Sequence, residues 1–279
     1  MTNTVAIIAA GAMGSAIARR MAENGAHVLT SLKGRSLANV DRADQAGMIS
    51  ASDEEIAAHA ELVLSVVPPG EALALAERLQ PDFQRQSRRP IFMDCNAVNP
   101  STLDRIRAAI GQDEHFLDTC IIGSPPKLGG PSPTLYVCGP SCAQAMSLRH
   151  LGLEVRLLPG PLGRASGLKM CYGGITKGLI AIGAAMARVA QRDGLADVLA
   201  DELEASAPGI AKRLRSALPD MPPKAYRWVA EMEEAGGFAG PTPAGEMFRA
   251  VAAFYEEVAA QAEEYSAALS SFLDRPRSE

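Results

Sequence analysis

The sequence predicts an α/β protein, a doubly wound parallel β-sheet domain followed by an all-α C-terminal domain, and three observations carry that reading. Short, continuous apolar runs bounded by turn residues recur through the first half, as in strands covered on both faces. Helical patterns fill the gaps between these runs, which joins the strands in parallel. From Leu162 onward strand patterns disappear. The boundary is drawn near residue 160, giving a sheet domain over 1–160 and a helical domain over 161–279.

Thr4–Ala9 is a β-branched, apolar run followed at once by Gly11 and Gly14, then by a helical pattern through Ile17, Met21 and Ala22. Ala26–Ser31 reads as the next strand, and Leu62–Val67 and Ile91–Cys95 repeat the buried-strand pattern. Two helix starts agree with this phasing. Ser52 precedes Glu55 in capping-box spacing, and Asn99 precedes Pro100 as an N-cap precedes a first-turn proline. Phe116–Ile122, Thr134–Val137 and Val155–Leu158 are expected as three further strands, with one more helix between the last two. Pro159-Gly160-Pro161 closes the domain.

Gly163–Arg192 reads as one long helix rich in small residues, which suit close helix packing within the chain or against a second subunit. Pro222-Pro223 and the segment Gly236–Pro243 are expected to break the helices that follow, and helical patterns reach Phe272.

A length of 279 residues allows one large or two modest domains. With 47% hydrophobic and 21% charged residues, the chain can bury a core and lacks the balance of a disordered sequence. The net charge of −5, without a basic stripe, argues against nucleic acid as a partner. No uninterrupted apolar run reaches about 18–20 residues, so no membrane span is expected. The first residues lead into a strand pattern instead of a charged leader, so a cytoplasmic location is expected. Cys95, Cys120, Cys138, Cys142 and Cys171 are odd in number and scattered, with no histidine nearby to complete a zinc set. Buried reduced thiols are expected, and no metal site. The four histidines form no cluster and offer no triad.

The turn Ala9-Ala10-Gly11-Ala12-Met13-Gly14 matches G-x-G-x-x-G, with Ala9 in place of the first glycine. It stands between a strand and a helix, the context in which this motif binds a dinucleotide. A side chain at Gly11 would keep a pyrophosphate from the backbone amides at the helix N-terminus, and Gly14 permits close helix–strand packing. An NAD site would place an acidic residue at the end of the second strand, where this chain has Ser31. The next loop supplies Lys33, Arg35 and Ser36, which suit a 2′-phosphate. The expected cofactor is NADP(H), on a Rossmann domain.

AAGAMG at 9–14, Val66-Val67-Pro68-Pro69, Asp94-Cys95-Asn96, Asp118–Gly123, Gly167-Leu168-Lys169 and Arg227–Glu234 together resemble the β-hydroxyacid dehydrogenase and 6-phosphogluconate dehydrogenase superfamily, which includes imine reductases. The resemblance spans nearly the whole chain. It implies that Val67 and Pro68 line the cofactor and that Asn96 sits near nicotinamide and substrate. It further implies that the backbone of Ile122, Gly123 and Ser124 holds a polar or anionic substrate group, and that the helical half joins a homodimer.

Lys169 is the expected proton donor or acceptor, since a desolvated lysine can be tuned toward working pH. Helical spacing places Tyr172, Gly173 and Thr176 on its face, with Tyr172 as its alternate or assistant. The chain departs from the family pattern at Gly173, where asparagine is usual, and at Tyr172, where phosphogluconate enzymes carry histidine. Asn96 replaces a common serine, and Ala230-Glu231 replaces a lysine-aspartate pair. Glu231 is a candidate for holding the long helix or the substrate, Lys177 reads as a surface lysine, and Tyr226 and Trp228 as core or an active-site cap.

The resulting expectation is hydride transfer between nicotinamide and a small polar hydroxy or keto substrate. Reduction of a C=N bond and a non-catalytic NADPH sensor are the alternatives.

Overall fold

A computed structural model describes residues 4–111 and 113–273; residues 274–279 of the expected helical domain lie outside them. Strands and helices alternate as β1 (Thr4–Ile8), α1 (Ala12–Glu23), β2 (His27–Thr30), α2 (Leu37–Gln45), β3 (Ile49–Ser50), α3 (Asp53–His59), β4 (Leu62–Ser65), α4 (Pro69–Gln84), β5 (Ile91–Asp94) and α5 (Pro100–Ile110). Three strands follow, β6 (Phe116–Ile122), β7 (Thr134–Cys138) and β8 (Glu154–Leu157). All eight form one sheet in the order β3-β2-β1-β4-β5-β6-β7-β8.

The apolar runs are continuous because alternate residues feed different faces of a sheet covered on both sides. Ile7, Met93 and Leu117 enter one buried cluster, while Ile8, Phe92 and Phe116 enter the other. Phe92 and Phe116 are register partners on β5 and β6 and stack with ring centroids 5.8 Å apart. Both foreseen caps are formed: Ser52 and Glu55 close a full capping box, and Asn99 accepts from the amides of Ser101 and Thr102.

Three details differ from expectation. The two-residue strand β3 was not foreseen, since Ile49 and Ser50 are both exposed and leave no apolar run. The connection between β7 and β8 is the short 3-10 helix Cys142–Arg149 instead of an α-helix. The sheet is parallel except between β6 and β7, which run antiparallel. A parallel partner needs a crossover, usually helical. Residues 123–133 instead carry Pro125, Pro126, Pro131 and Pro133, and Gly123 turns the chain back at φ +129°.

The remaining elements are α6 (Arg164–Arg192), α7 (Ala196–Ser206), α8 (Pro208–Ala217), α9 (Ala225–Ala239), α10 (Pro243–Ala260) and α11 (Ala262–Leu273). The chain divides into two compact units, Met1–Met170 and Cys171–Glu279, so the division falls later than residue 160. Its cause is Asp118 on β6, whose carboxylate binds the first residues of α6 and ties them to the sheet.

Gly236 does not break α9, which runs on to Ala239. A Cβ there would lie 3.2 Å from the Gly245 carbonyl oxygen, so glycine lets α9 and α10 approach closely. By length and composition alone, α6 is apolar enough to cross a membrane, contrary to expectation, because glycine and alanine dilute its charges. Its Lys177 is nevertheless held in an ion pair within the second unit.

Candidate functional site

Ile8, Ser65 and Asp94 are register partners across β1, β4 and β5, so the loops that follow these strands leave the sheet along one edge. Gly11 is the N-cap of α1 with ordinary extended backbone, φ −72° and ψ 179°. No side chain caps this helix, and its first turn, which begins with Ala12 and Met13, holds no acidic residue. The amides at its start are therefore available to an anion.

The two glycines of the turn differ in kind. A Cβ on Gly14 would run into the carbonyl oxygen of Ala9 and lie 3.3 Å from Ile7 Cγ2. A Cβ on Gly11 would meet nothing within 4 Å. The fold requires the first and leaves the second free. Behind the turn, Ser15 Oγ donates to the Gly11 carbonyl at 2.8 Å and Arg42 Nε to the Ala10 carbonyl at 3.2 Å. Arg42 was not foreseen, because nothing in the α2 pattern marks its one cation for the loop.

After β2, Ser31 is buried and the following turn is closed by Arg35 N–H donating to Leu32 C=O at 3.1 Å. Lys33 is exposed. The Arg35 guanidinium pairs with Glu71 in the first turn of α4 at 3.3 Å. That carboxylate, 36 positions away, was invisible to local sequence reading.

Asn96 is buried and its carboxamide is a brace. Oδ1 accepts from the Val67 amide at 2.7 Å, and Nδ2 donates to Ser65 Oγ and Asp94 Oδ2, each at 2.8 Å. Both amide protons are spent on the chain, so Asn96 positions the loop carrying Val67 and Pro68; expected beside the substrate, its reach is through that loop. Pro68 is the exposed N-cap of α4.

At the end of β6, Lys169 Nζ donates to the carbonyl of Ile121 at 2.7 Å. The turn Ile122-Gly123-Ser124 begins one residue later, so the lysine and the expected substrate-binding backbone are brought together within the first unit. Asp118 arranges this. Its carboxylate accepts from the amides of Gly163 and Ala165, each at 2.9 Å, from Ser166 N at 3.1 Å and from Ser166 Oγ at 2.6 Å. One β6 side chain thus caps α6 and sets Lys169 one turn further on. In the sequence Asp118 is marked only as part of the motif Asp118–Gly123, and no local signal gives a strand carboxylate this task. Burial pushes the neighbouring Cys120 and Cys138 thiols up to about 12. With Cys95 they are buried and free, whereas Cys142 is half-buried and Cys171 exposed, against the expectation for those two.

In the second unit Tyr172 is exposed, a Cβ on Gly173 would meet nothing within 4 Å, and the Thr176 hydroxyl donates to Tyr172 C=O at 2.8 Å. Thr176 therefore serves its own helix. Lys177 is no surface lysine: it pairs with Glu231, the two side chains being only 14% and 18% exposed. Its ammonium lies 5.8 Å from the Trp228 ring centre, and Trp228 meets Tyr255 edge-on. Tyr255 donates to Lys177 C=O at 2.6 Å, and burial, with Glu231 adding to it, holds its phenol well above the usual range. Glu231 accordingly holds the long helix and Trp228 is half-buried against Tyr255, while Tyr226 is exposed. Among the described residues no three His, Cys, Asp or Glu side chains converge on a metal position.

The family described as "NADP oxidoreductase coenzyme F420-dependent" matches residues 4–97, and "Domain of unknown function (DUF1932)" matches residues 190–258. A solved protein of unknown function, noted for structural similarity with 3-hydroxyacid dehydrogenases, is 26% identical with a TM-score of 0.68, covering 94% of this chain and 99% of its own. In fold and in these partial matches the chain is similar to the β-hydroxyacid dehydrogenase-like superfamily. The 3-hydroxyisobutyrate dehydrogenase of Mycobacterium tuberculosis shares the fold at 19% identity and a TM-score of 0.71, over 97% of this chain and 99% of that one. An uncharacterised 28.5 kDa protein of Methanothermus fervidus is 29% identical over 178 residues, 63% of this chain and 67% of its own length. At this level the chain is an oxidoreductase type with a pyridine-nucleotide-binding fold.

Proposed function

We propose that the chain is an NADPH-dependent oxidoreductase that exchanges a hydride between nicotinamide and a small polar hydroxy or keto substrate. The contrast between Gly11 and Gly14 carries this reading. Packing explains Gly14, but nothing in the fold explains a bare backbone at Gly11, whose conformation suits any residue. A pyrophosphate lying against the uncapped start of α1 does explain it. The first unit is assigned to NADP(H), with Ala9, Ala12 and Met13 completing the turn, and the second unit to substrate and dimerisation.

Bound NADPH supplies the hydride. Arg35 exchanges its carboxylate partner Glu71 for the 2′-phosphate, with Lys33 and Ser31 beside it; an exposed ion pair of this kind is worth only about 0–1 kcal/mol, so the exchange costs little. Asn96 fixes Val67 and Pro68 against the cofactor. Lys169 gives its proton to the substrate oxygen, or takes it in the reverse direction, while Ile122, Gly123 and Ser124 hold a polar group of the substrate. Tyr172, Gly173 and Thr176 follow on the same helix, and the smallness of Gly173 leaves room for the substrate.

On α6, Ile175, Ile182 and Met186 are 72%, 57% and 52% exposed at helical spacing, and we assign this apolar stripe to a homodimer. Free buried thiols suit a reducing, cytoplasmic setting.

The test is NADPH consumption across 3-hydroxy acids, keto acids and cyclic imines, in both directions. Turnover of a hydroxy or keto acid, with Lys169→Ala lowering kcat by ~100-fold or more, is expected. Turnover confined to imines, or NADPH binding with no turnover, would replace this reading by imine reduction or a sensor.

A further inference from the structure

The first unit holds a cavity of about 600 Å³ away from the expected chemistry. It is lined by Leu62 and Ile91, the first residues of β4 and β5, and by residues that precede β5 and β6. Gly11 and Asn96 follow the opposite ends of these parallel strands. Ligands of doubly wound sheets bind at the carboxyl ends, so the dinucleotide does not account for this cavity.

Its walls are polar and short of partners. Arg89 has no hydrogen bond or ion pair among the described residues and is only half-exposed. His115 Nδ1 is buried and likewise unbonded. Arg88 reaches the one lining carboxylate, Glu61, only at 3.9 Å, between exposed side chains. A buried nitrogen without a partner carries a desolvation cost that a ligand would remove. Two guanidinium groups, an imidazole and the Ser87 hydroxyl make a donor set for an oxyanion, which arginine binds through paired hydrogen bonds. The volume falls within the roughly 300–1,000 Å³ of small-molecule sites, larger than a lone phosphate needs.

We infer that this cavity is a second ligand site, taking a small phosphorylated molecule at the amino-terminal edge of the sheet.

The experiment is calorimetric titration of the full-length protein with inorganic phosphate as probe. Wild type and Arg35→Ala should bind it alike, because Arg35 lies at the other edge. Arg89→Ala should weaken binding about tenfold or more. Gln144→Glu, an exposed change on the 3-10 helix that puts a carboxylate at the cavity wall, should do the same without disturbing the fold. Absence of binding to wild type, or binding unchanged in Gln144→Glu, overturns the assignment, as does loss of binding in Arg35→Ala alone.

Discussion

Replacing Gly11 and Gly14 separately with alanine should split the turn's two roles. At Gly11 the backbone angles are ordinary and the new methyl meets nothing within 4 Å. Alanine lowers unfolded-state entropy by about 0.4–1 kcal/mol, while as an N-cap it is poorer than glycine by a similar amount. Stability should therefore stay within about 1 kcal/mol of wild type. The methyl projects where the pyrophosphate must approach, and loss of one hydrogen bond to a charged group costs about 1.5–3 kcal/mol, roughly a 10- to 150-fold rise in the Kd of NADPH. Gly14→Ala behaves in reverse. Its methyl collides with the Ala9 carbonyl, a backbone atom that cannot rotate away, and overpacking of this kind costs about 1–3 kcal/mol or more. Urea unfolding gives the stabilities and NADPH fluorescence the affinities. If Gly11→Ala unfolds early, or binds NADPH as tightly as wild type, the division of roles is wrong.

Asp118→Ala would strip the acceptor from three amides, a hydroxyl and the Cys138 thiol, all buried except the Gly163 amide; at about 1–3 kcal/mol per orphaned group, urea unfolding should show a loss above roughly 3 kcal/mol, and a change below 1 kcal/mol would contradict the capping role. Glu71→Gln should tighten NADPH by no more than about fivefold, the worth of an exposed ion pair, whereas Arg35→Ala should weaken NADPH and leave NADH nearly unchanged; equal effects on both cofactors would remove Arg35 from 2′-phosphate recognition. Cys120 and Cys138 are raised from 9.0 to about 12 in the folded chain, so the neutral thiols favour folding. Their contribution is complete below pH ~9 and is lost as pH climbs toward 12, with Tyr255 acting in the same direction; a melting temperature that stays level from pH 8 to 11 would count against it.

The sheet was legible because its strands are buried on both faces and carry unbroken apolar runs, as Ile7-Ile8 and Phe92-Met93 do. The capping box at Ser52 and the cap at Asn99 were legible because each works within three residues. Reading failed where the deciding partner was distant. β3 has only two exposed residues, held by pairing to β2 and not by its own pattern. The direction of β7 depends on what a proline-rich segment does not form. In the site, Gly11, Gly14 and Lys169 stand out by local spacing, but Asn96 acts as a brace through Ser65 and Val67, some thirty residues earlier, and Lys177 is buried by Glu231, 54 positions later. Such pairings exist only once the chain has folded.

The most direct measurement is calorimetric titration of the wild-type protein with NADPH and, separately, NADH. Saturable binding of NADPH, tighter than that of NADH and weakened by Gly11→Ala, is the expected result. No heat of association with NADPH up to millimolar concentration would contradict the assignment of this turn to a phosphorylated dinucleotide.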